Sequence, residues 1–203
     1  MTLRLGFLAS HGGSNVQVII DECRTGTLDA EPAVLVSNNS DAPVMARASA
    51  AGIATYHLSS RTHPDPSLLD DAILEALTRH GAALIVLAGY MKKIGPRTLA
   101  RYRGLVLNIH PALLPKFGGQ GMYGRRVHEE VLAAGDRVTG VTVHLADEEY
   151  DRGPILAQRE VPVVRGDTID SLAARVLEDE HALYVETLAR IAGGEIRLAG
   201  LQV

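Results

Sequence analysis

Apolar and polar positions along this chain switch between two periods. Residues 3–9 form an apolar run that ends at SHGGSN, residues 10–15. The following VQVIIDECR sets Val16, Ile19, Ile20 and Cys23 on one face of a helix. A strand, a glycine turn and a helix make the first half of a βαβ unit. The alternation then repeats. Residues 33–37 read as a strand, 43–51 as a short helix stopped by Gly52, 53–57 as a strand and 67–79 as a helix. Residues 83–88, ALIVLA, lack polar alternation, which predicts a strand buried on both faces. After a loop over 89–95, Pro96 suits the first position of another helix. LVLNIHP, residues 105–111, is the next strand. Strands alternating with amphipathic helices predict an α/β fold on a parallel sheet.

Beyond Pro111 the pattern changes. Residues 115–124 include Gly118, Gly119, Gly121 and Gly124, a surface loop whose length suggests a lid. Residues 127–134 look helical. Residues 137–145 form an alternating strand with Thr142 and His144 facing one way, and 155–164 form another. The acidic turn between them suggests an antiparallel hairpin added to the parallel sheet. Thr168 opens a helix to about residue 191, with Asp170 in its first turn. The last ten residues have room for one short strand. The reading is a single domain over residues 1–203: an open, mostly parallel Rossmann-like α/β sheet flanked by helices, with the hairpin appended. Residues 1–110 make the parallel half; 111–203 supply the lid loop, hairpin and C-terminal helix.

Composition narrows the function. Twenty Lys and Arg against 24 Asp and Glu give a net charge of -4, so no domain-wide basic field invites nucleic acid. Aromatics are 4% and Trp is absent, which argues against a base-stacking platform. The single cysteine, Cys23, excludes an internal disulfide framework and suits a reducing, cytoplasmic setting. No stretch approaches the roughly 18 apolar residues of a membrane span, and the first apolar run is too short for a secretory signal. No membrane partner is expected. A monomer or weak homodimer is the expected state.

Three stretches could carry chemistry. Asn108 and His110, two apart at a strand end, emerge on one face. The amide can donate to a developing oxyanion, and the imidazole can also move protons. In SHGGSN, Gly12, Gly13, Ser14 and Asn15 precede a helix. They suit an anion, or a plain turn with Ser14 or Asn15 as N-cap. Asp151, in EEYDRGPIL, is either a turn device or a carboxylate near His110. In the second case it would hold one tautomer and raise the imidazole pKa, with Thr142 and His144 orienting it. The eight histidines form no HExxH or HxH pair, so no metal is expected. Two basic pairs, Lys92–Lys93 and Arg125–Arg126, could meet an acidic substrate tail. Cys23 reads as inert core.

NIHPALLPKF, residues 108–117, brings a family into view. Over nearly its whole length the chain resembles the folate-dependent formyltransferases, most closely the branch that formylates 5-phosphoribosylglycinamide in purine biosynthesis. Residues 13–15, GSN, look like that family's phosphate loop, and LAGYMKKI, 87–94, like its folate-side loop. NIHP with LLPK matches its strongest signature, and DRGPIL its D-x-G-P turn with the essential aspartate at Asp151. EDEHALY, 178–184, resembles a helix whose glutamate, here Glu180, binds ribose hydroxyls.

The resemblance implies formyl transfer from the co-substrate 10-formyltetrahydrofolate to the amine of glycinamide ribonucleotide, without a metal. It implies catalysis by Asn108, His110 and Asp151, with protonated His110 as general acid. It further implies acceptor binding by Gly12, Gly13, Ser14, Asn15 and Glu180. Met91, Lys92, Lys93, Ile94 and Asn108 would meet the folate, with Thr142 and His144 behind. The chain departs from the family form in a longer, glycine-richer loop over 118–126. A basic folate-tail residue in loop 59–66 has no direct counterpart, leaving Arg61 or His63 as substitutes. The rival expectations are a methionyl-tRNA formyltransferase, whose family carries a basic C-terminal domain, and a formyltetrahydrofolate hydrolase, whose family carries an N-terminal regulatory domain. A third is a non-enzymatic nucleotide-binding module.

Overall fold

A computed structural model describes residues 2–201. The parallel half runs β1 (Leu3–Ala9), α1 (Ser14–Thr25), β2 (Ala30–Ser37), α2 (Pro43–Ala50), β3 (Ala54–His57), α3 (Pro66–Arg79), β4 (Leu84–Leu87), α4 (Pro96–Arg101) and β5 (Val106–His110). It continues into α5 (Arg125–Ala133), β6 (Val138–Leu145), β7 (Ile155–Pro162) and α6 (Ile169–Ala192). The seven strands form one sheet in the order β3-β2-β1-β4-β5-β6-β7. β1 to β5 pair in parallel, while β6 is antiparallel to both β5 and β7. The chain steps outward from β1 to β3, then returns to β4 on the other side of β1. Crevices for ligands open at the carboxyl ends of strands where the order reverses in this way.

The central strands are buried throughout: Leu5, Phe7, Leu84, Ile85, Val86 and Leu107 show no exposed surface. Helices on both faces require this. β2 starts earlier than its apolar run suggests, because Pro32 lies within it. The β1–β2 register jumps from Leu5↔Pro32 to Gly6↔Val34, so Ala33 is a bulge residue. A bulge tolerates the missing N–H of a neighbouring proline. The strand expected in the last ten residues does not form among the described residues. Gly194 and Gly200, both at positive φ, interrupt the segment, although Leu198 still buries its side chain.

Two polar anchors fix the site's surroundings. α6 opens with a reciprocal Thr168–Ser171 capping box and buries Leu172, Val176, Leu183, Tyr184, Leu188 and Ile191. The Tyr184 hydroxyl lies 3.0 Å from the Leu87 carbonyl and 3.1 Å from that of Leu107, seaming α6 to β4 and β5. Glu180, one turn earlier, is thereby carried to the strand ends. On the other flank, Asp70 of α3 is buried and accepts from Arg97 N (2.8 Å), Thr98 N (3.2 Å) and Thr98 Oγ1 (2.6 Å). It caps α4 and so pins the far end of the loop that leaves β4. A Cβ on Gly95 would lie 2.1 Å from the Asp70 carboxyl carbon, so this approach needs glycine. Replacing Asp70 by Ala leaves two backbone donors and a hydroxyl without their acceptor. The expected loss is about 2–3 kcal/mol in urea unfolding.

Candidate active site

The end of β5 meets β6 in a register that pairs Asn108 with His144 and His110 with Thr142. All four side chains project on one face. His110 and His144 are buried, and Asn108 is half-buried. Asp151 arrives from the β6–β7 turn in a left-handed conformation, φ 58°. Its Oδ2 lies 3.6 Å from His110 Nδ1, and its Oδ1 lies 3.5 Å from His144 Nε2. Oδ2 also accepts a 2.9 Å hydrogen bond from the Gly119 N–H, in the loop after β5.

Hydrogen-bond partners fix the tautomers. His110 Nε2 is 2.8 Å from the Phe117 carbonyl, which can only accept, so Nε2 carries hydrogen. In the neutral ring Nδ1 then holds the lone pair and faces Asp151. His144 Nδ1 donates to the Leu145 carbonyl at 2.9 Å, leaving Nε2 to accept from Asn108 Nδ2 at 3.0 Å. One amide hydrogen of Asn108 is thus committed, the amide is oriented, and its second N–H has no partner among the described residues.

The charge state differs from the sequence-based expectation. Burial pulls the His110 pKa below its ordinary value, and His144 adds to this. The Asp151 carboxylate and the Phe117 carbonyl pull it up without compensating. Desolvation of a nearly enclosed ring outweighs one carboxylate at 3.6 Å that is itself shared. Burial pushes Asp151 up, but His144, His110 and the Gly119 N–H together hold it below the ordinary carboxylate range. The resting pair at neutral pH is therefore a neutral imidazole beside a carboxylate.

Thr142 does not orient Asp151. Its hydroxyl donates to the Ala112 carbonyl (2.7 Å) and accepts from Leu114 N (3.0 Å) and Gln158 Nε2 (2.9 Å). It holds the bend after Pro111, with its hydrogen bonds spent on that backbone and on Gln158.

On one flank lies the glycine loop. Gly13 is the N-cap of α1, with φ 70° and no side-chain cap bond, so neither Ser14 nor Asn15 caps the helix. A Cβ on Gly13 would lie 2.2 Å from Val44 Cγ2. The first-turn N–H groups stay open, as an anion requires. Asn15 Nδ2 donates to Glu180 Oε2 at 2.9 Å, joining the loop to α6. Asn15 Oδ1 is buried without a partner among the described residues. Burial pushes the Glu180 carboxyl up to about 7, against the pull of Asn15.

On the other flank a cleft of about 740 Å³ opens between α3 and the loop after β4. Lys92, Lys93 and Ile94 line it with Arg61, Tyr90 and Leu69. Neither His63 nor Met91 lines it. The Met91 N–H instead donates to Ser10 Oγ at 2.8 Å, and that hydroxyl donates to Asn38 Oδ1 at 2.5 Å. Ser10 is a strut between the two flanks that sequence reasoning missed; its place as the first polar residue after β1 was the available signal. Among the described residues no cluster of three His, Cys, Asp or Glu could hold a metal, and no helix is long and apolar enough to cross a membrane. Burial pushes the Cys23 thiol up to about 11, away from thiolate reactivity.

The formyl transferase family model matches residues 3–188. The chloroplastic phosphoribosylglycinamide formyltransferase of Arabidopsis thaliana is 39% identical over 96% of this chain and 67% of its own. That of Escherichia coli K12 is 36% identical over 94% of this chain and 88% of its own. The crystal structure of glycinamide ribonucleotide transformylase 1 from Symbiobacterium toebii superimposes with a TM-score of 0.90 at 36% identity, covering 98% of this chain and 92% of that one.

Glu180 makes stability depend on pH. Its folded pKa, about 7, exceeds the ordinary 4.5, so the fold favours the protonated acid. That contribution is complete below pH 4.5 and is lost as pH rises through 7. Glu180→Gln, which stays neutral, should match the parent in urea unfolding at about pH 5 and exceed it by about 1–3 kcal/mol at about pH 8.

Proposed function

Given that this chain belongs to the formyl transferase family, matched from residue 3 to 188, we propose the following reading of its reaction and site. The enzyme transfers a formyl group from 10-formyltetrahydrofolate to the amine of 5-phosphoribosylglycinamide, a step of purine biosynthesis. Relatives that bear that name, at 36% to 39% identity over nearly the whole chain, support it. The observation that carries the residue assignment is the convergence of three distant side chains: Asp151 lies 3.6 Å from His110 and 3.5 Å from His144, and His144 lies 3.0 Å from Asn108.

The acceptor's phosphate belongs on the N–H groups of Gly12, Gly13, Ser14 and Asn15, and its ribose hydroxyls on Glu180. The folate belongs along Met91 to Ile94 and Asn108. Lys92, Lys93 and Arg61, which line the cleft, face its acidic tail. The partners are small molecules. A net charge of -4 and a single half-buried cysteine support a cytoplasmic enzyme with no nucleic-acid partner.

His110 Nδ1 and Asp151 Oδ2, 3.6 Å apart, are two acceptors with no hydrogen between them. An amine N–H is the donor that fits there. The amine attacks the formyl carbon, and the carbonyl electrons move onto oxygen. Asn108 meets that oxyanion with its free N–H, in the orientation His144 holds. The amine proton passes to His110 Nδ1, and Asp151 stabilises the imidazolium. His110 then returns the proton to the leaving folate nitrogen as the carbonyl re-forms and the old C–N bond breaks. The general acid is therefore charged by the substrate and is not protonated at rest, because burial has lowered its pKa.

Incubation with 10-formyltetrahydrofolate should release tetrahydrofolate only when glycinamide ribonucleotide is present; release without it indicates hydrolysis. Asn108→Ala and His110→Ala should each lower turnover by about 10²–10³ with acceptor binding kept. Near-normal turnover in both contradicts the residue assignment.

A further inference from the structure

The glycine loop is held from behind by α2. The Val44 N–H donates to the His11 carbonyl at 3.2 Å, and Arg47 Nε donates to the Gly12 carbonyl at 3.0 Å. The Gln17 N–H donates to the Gly13 carbonyl at 2.9 Å. Three successive loop carbonyls are thus drawn toward the helices. In a trans peptide the N–H points opposite to the C=O. The N–H groups of Gly12, Gly13 and Ser14 are therefore turned to the other side, and none finds an acceptor among the described residues. Two of the three carbonyls are held by backbone. The middle one depends on a side chain, Arg47. That guanidinium also donates to Gln17 Oε1 at 3.3 Å, on the first turn of α1. No carboxylate pairs with it among the described residues, so its charge is left to the loop.

We infer that Arg47 is a positioning residue for the acceptor's phosphate. By holding the Gly12 carbonyl it aims the Gly13 N–H at the anion, and its unpaired positive charge supports the same anion through the loop. It does not touch the phosphate. The inference rests on reading the glycine loop as the phosphate site. The alternative is a plain staple between α1 and α2, which would be indifferent to the acceptor's charge.

Steady-state kinetics separate these roles, using glycinamide ribonucleotide and the same acceptor without its 5′-phosphate. Arg47→Ala should raise KM for the phosphorylated acceptor by about tenfold. It should leave kcat, KM for the formyl donor and KM for the phosphate-free acceptor as in the parent. Arg47→Lys, which keeps a cation and a donor, should recover most of the loss. Equal changes in KM for both acceptors, or no change for either, overturn the positioning role. A parent enzyme that binds the two acceptors equally overturns the phosphate assignment of the loop, and this inference with it.

Discussion

A slip of β6 by one residue against β5 would turn Thr142 and His144 to the other face of the sheet, away from Asn108 and His110. Ile109 and Val143, paired and buried between them, hold the register against that slip. The slip would take buried Val143 from beside Ile109 and put polar Thr142 and His144 on that face. This pairing is also where the sheet changes from parallel to antiparallel. β6 enters beside the end of β5 and runs back along it, and the turn that follows brings Asp151 to His110 and His144. The geometry of Asn108, His110 and His144 and the hydrophobic packing are thus set by one choice of register.

The loop after β5 completes what the register begins. It touches both ionisable groups: the Phe117 carbonyl takes His110 Nε2, and the Gly119 N–H takes Asp151 Oδ2. Between them Gly118 passes so close that a Cβ would lie 2.4 Å from Leu114 Cδ2 and 3.1 Å from Asp151 Cβ. Among the described residues, Phe117 and Asp151 are the two non-glycine residues with positive φ, at 57° and 58°. Left-handed backbone costs a bulky residue about 1–2 kcal/mol, which the surrounding contacts must offset. The segment that looks like a lid in the sequence is therefore part of the machinery that sets which imidazole nitrogen is free. Ser10 and Asp70 brace the loop after β4 in the same way, and Arg47 the glycine loop.

Much of this could be read from the residues. The strands and helices of the parallel half follow from period alone, and β6 and β7 emerge as a hairpin because their alternation flanks an acidic turn. Asn108 and His110 stand out because two polar residues end an apolar strand. Other features depend on partners that have no sequence signature. Thr142 and His144 share a face, yet one serves the Ala112 carbonyl and the other Asn108; only three-dimensional register separates them. The protonation of His110 depends on burial against a carboxylate, and the sequence shows the carboxylate but not the burial. Backbone groups such as the Phe117 carbonyl carry no side-chain mark at all. Arg47 was hidden for a related reason: an arginine on a short helix looks solvated until its carbonyl partner is seen.

The central claim is that resting His110 is neutral, with hydrogen on Nε2 and its lone pair toward Asp151. Nitrogen NMR of the ligand-free enzyme, with ¹⁵N-labelled histidine assigned by comparison with His110→Ala, reads tautomer and titration together. The account predicts an Nε2–H signal and a titration midpoint below the ordinary 6.5. An Nδ1–H tautomer, or an imidazolium that persists above that pH, would contradict it.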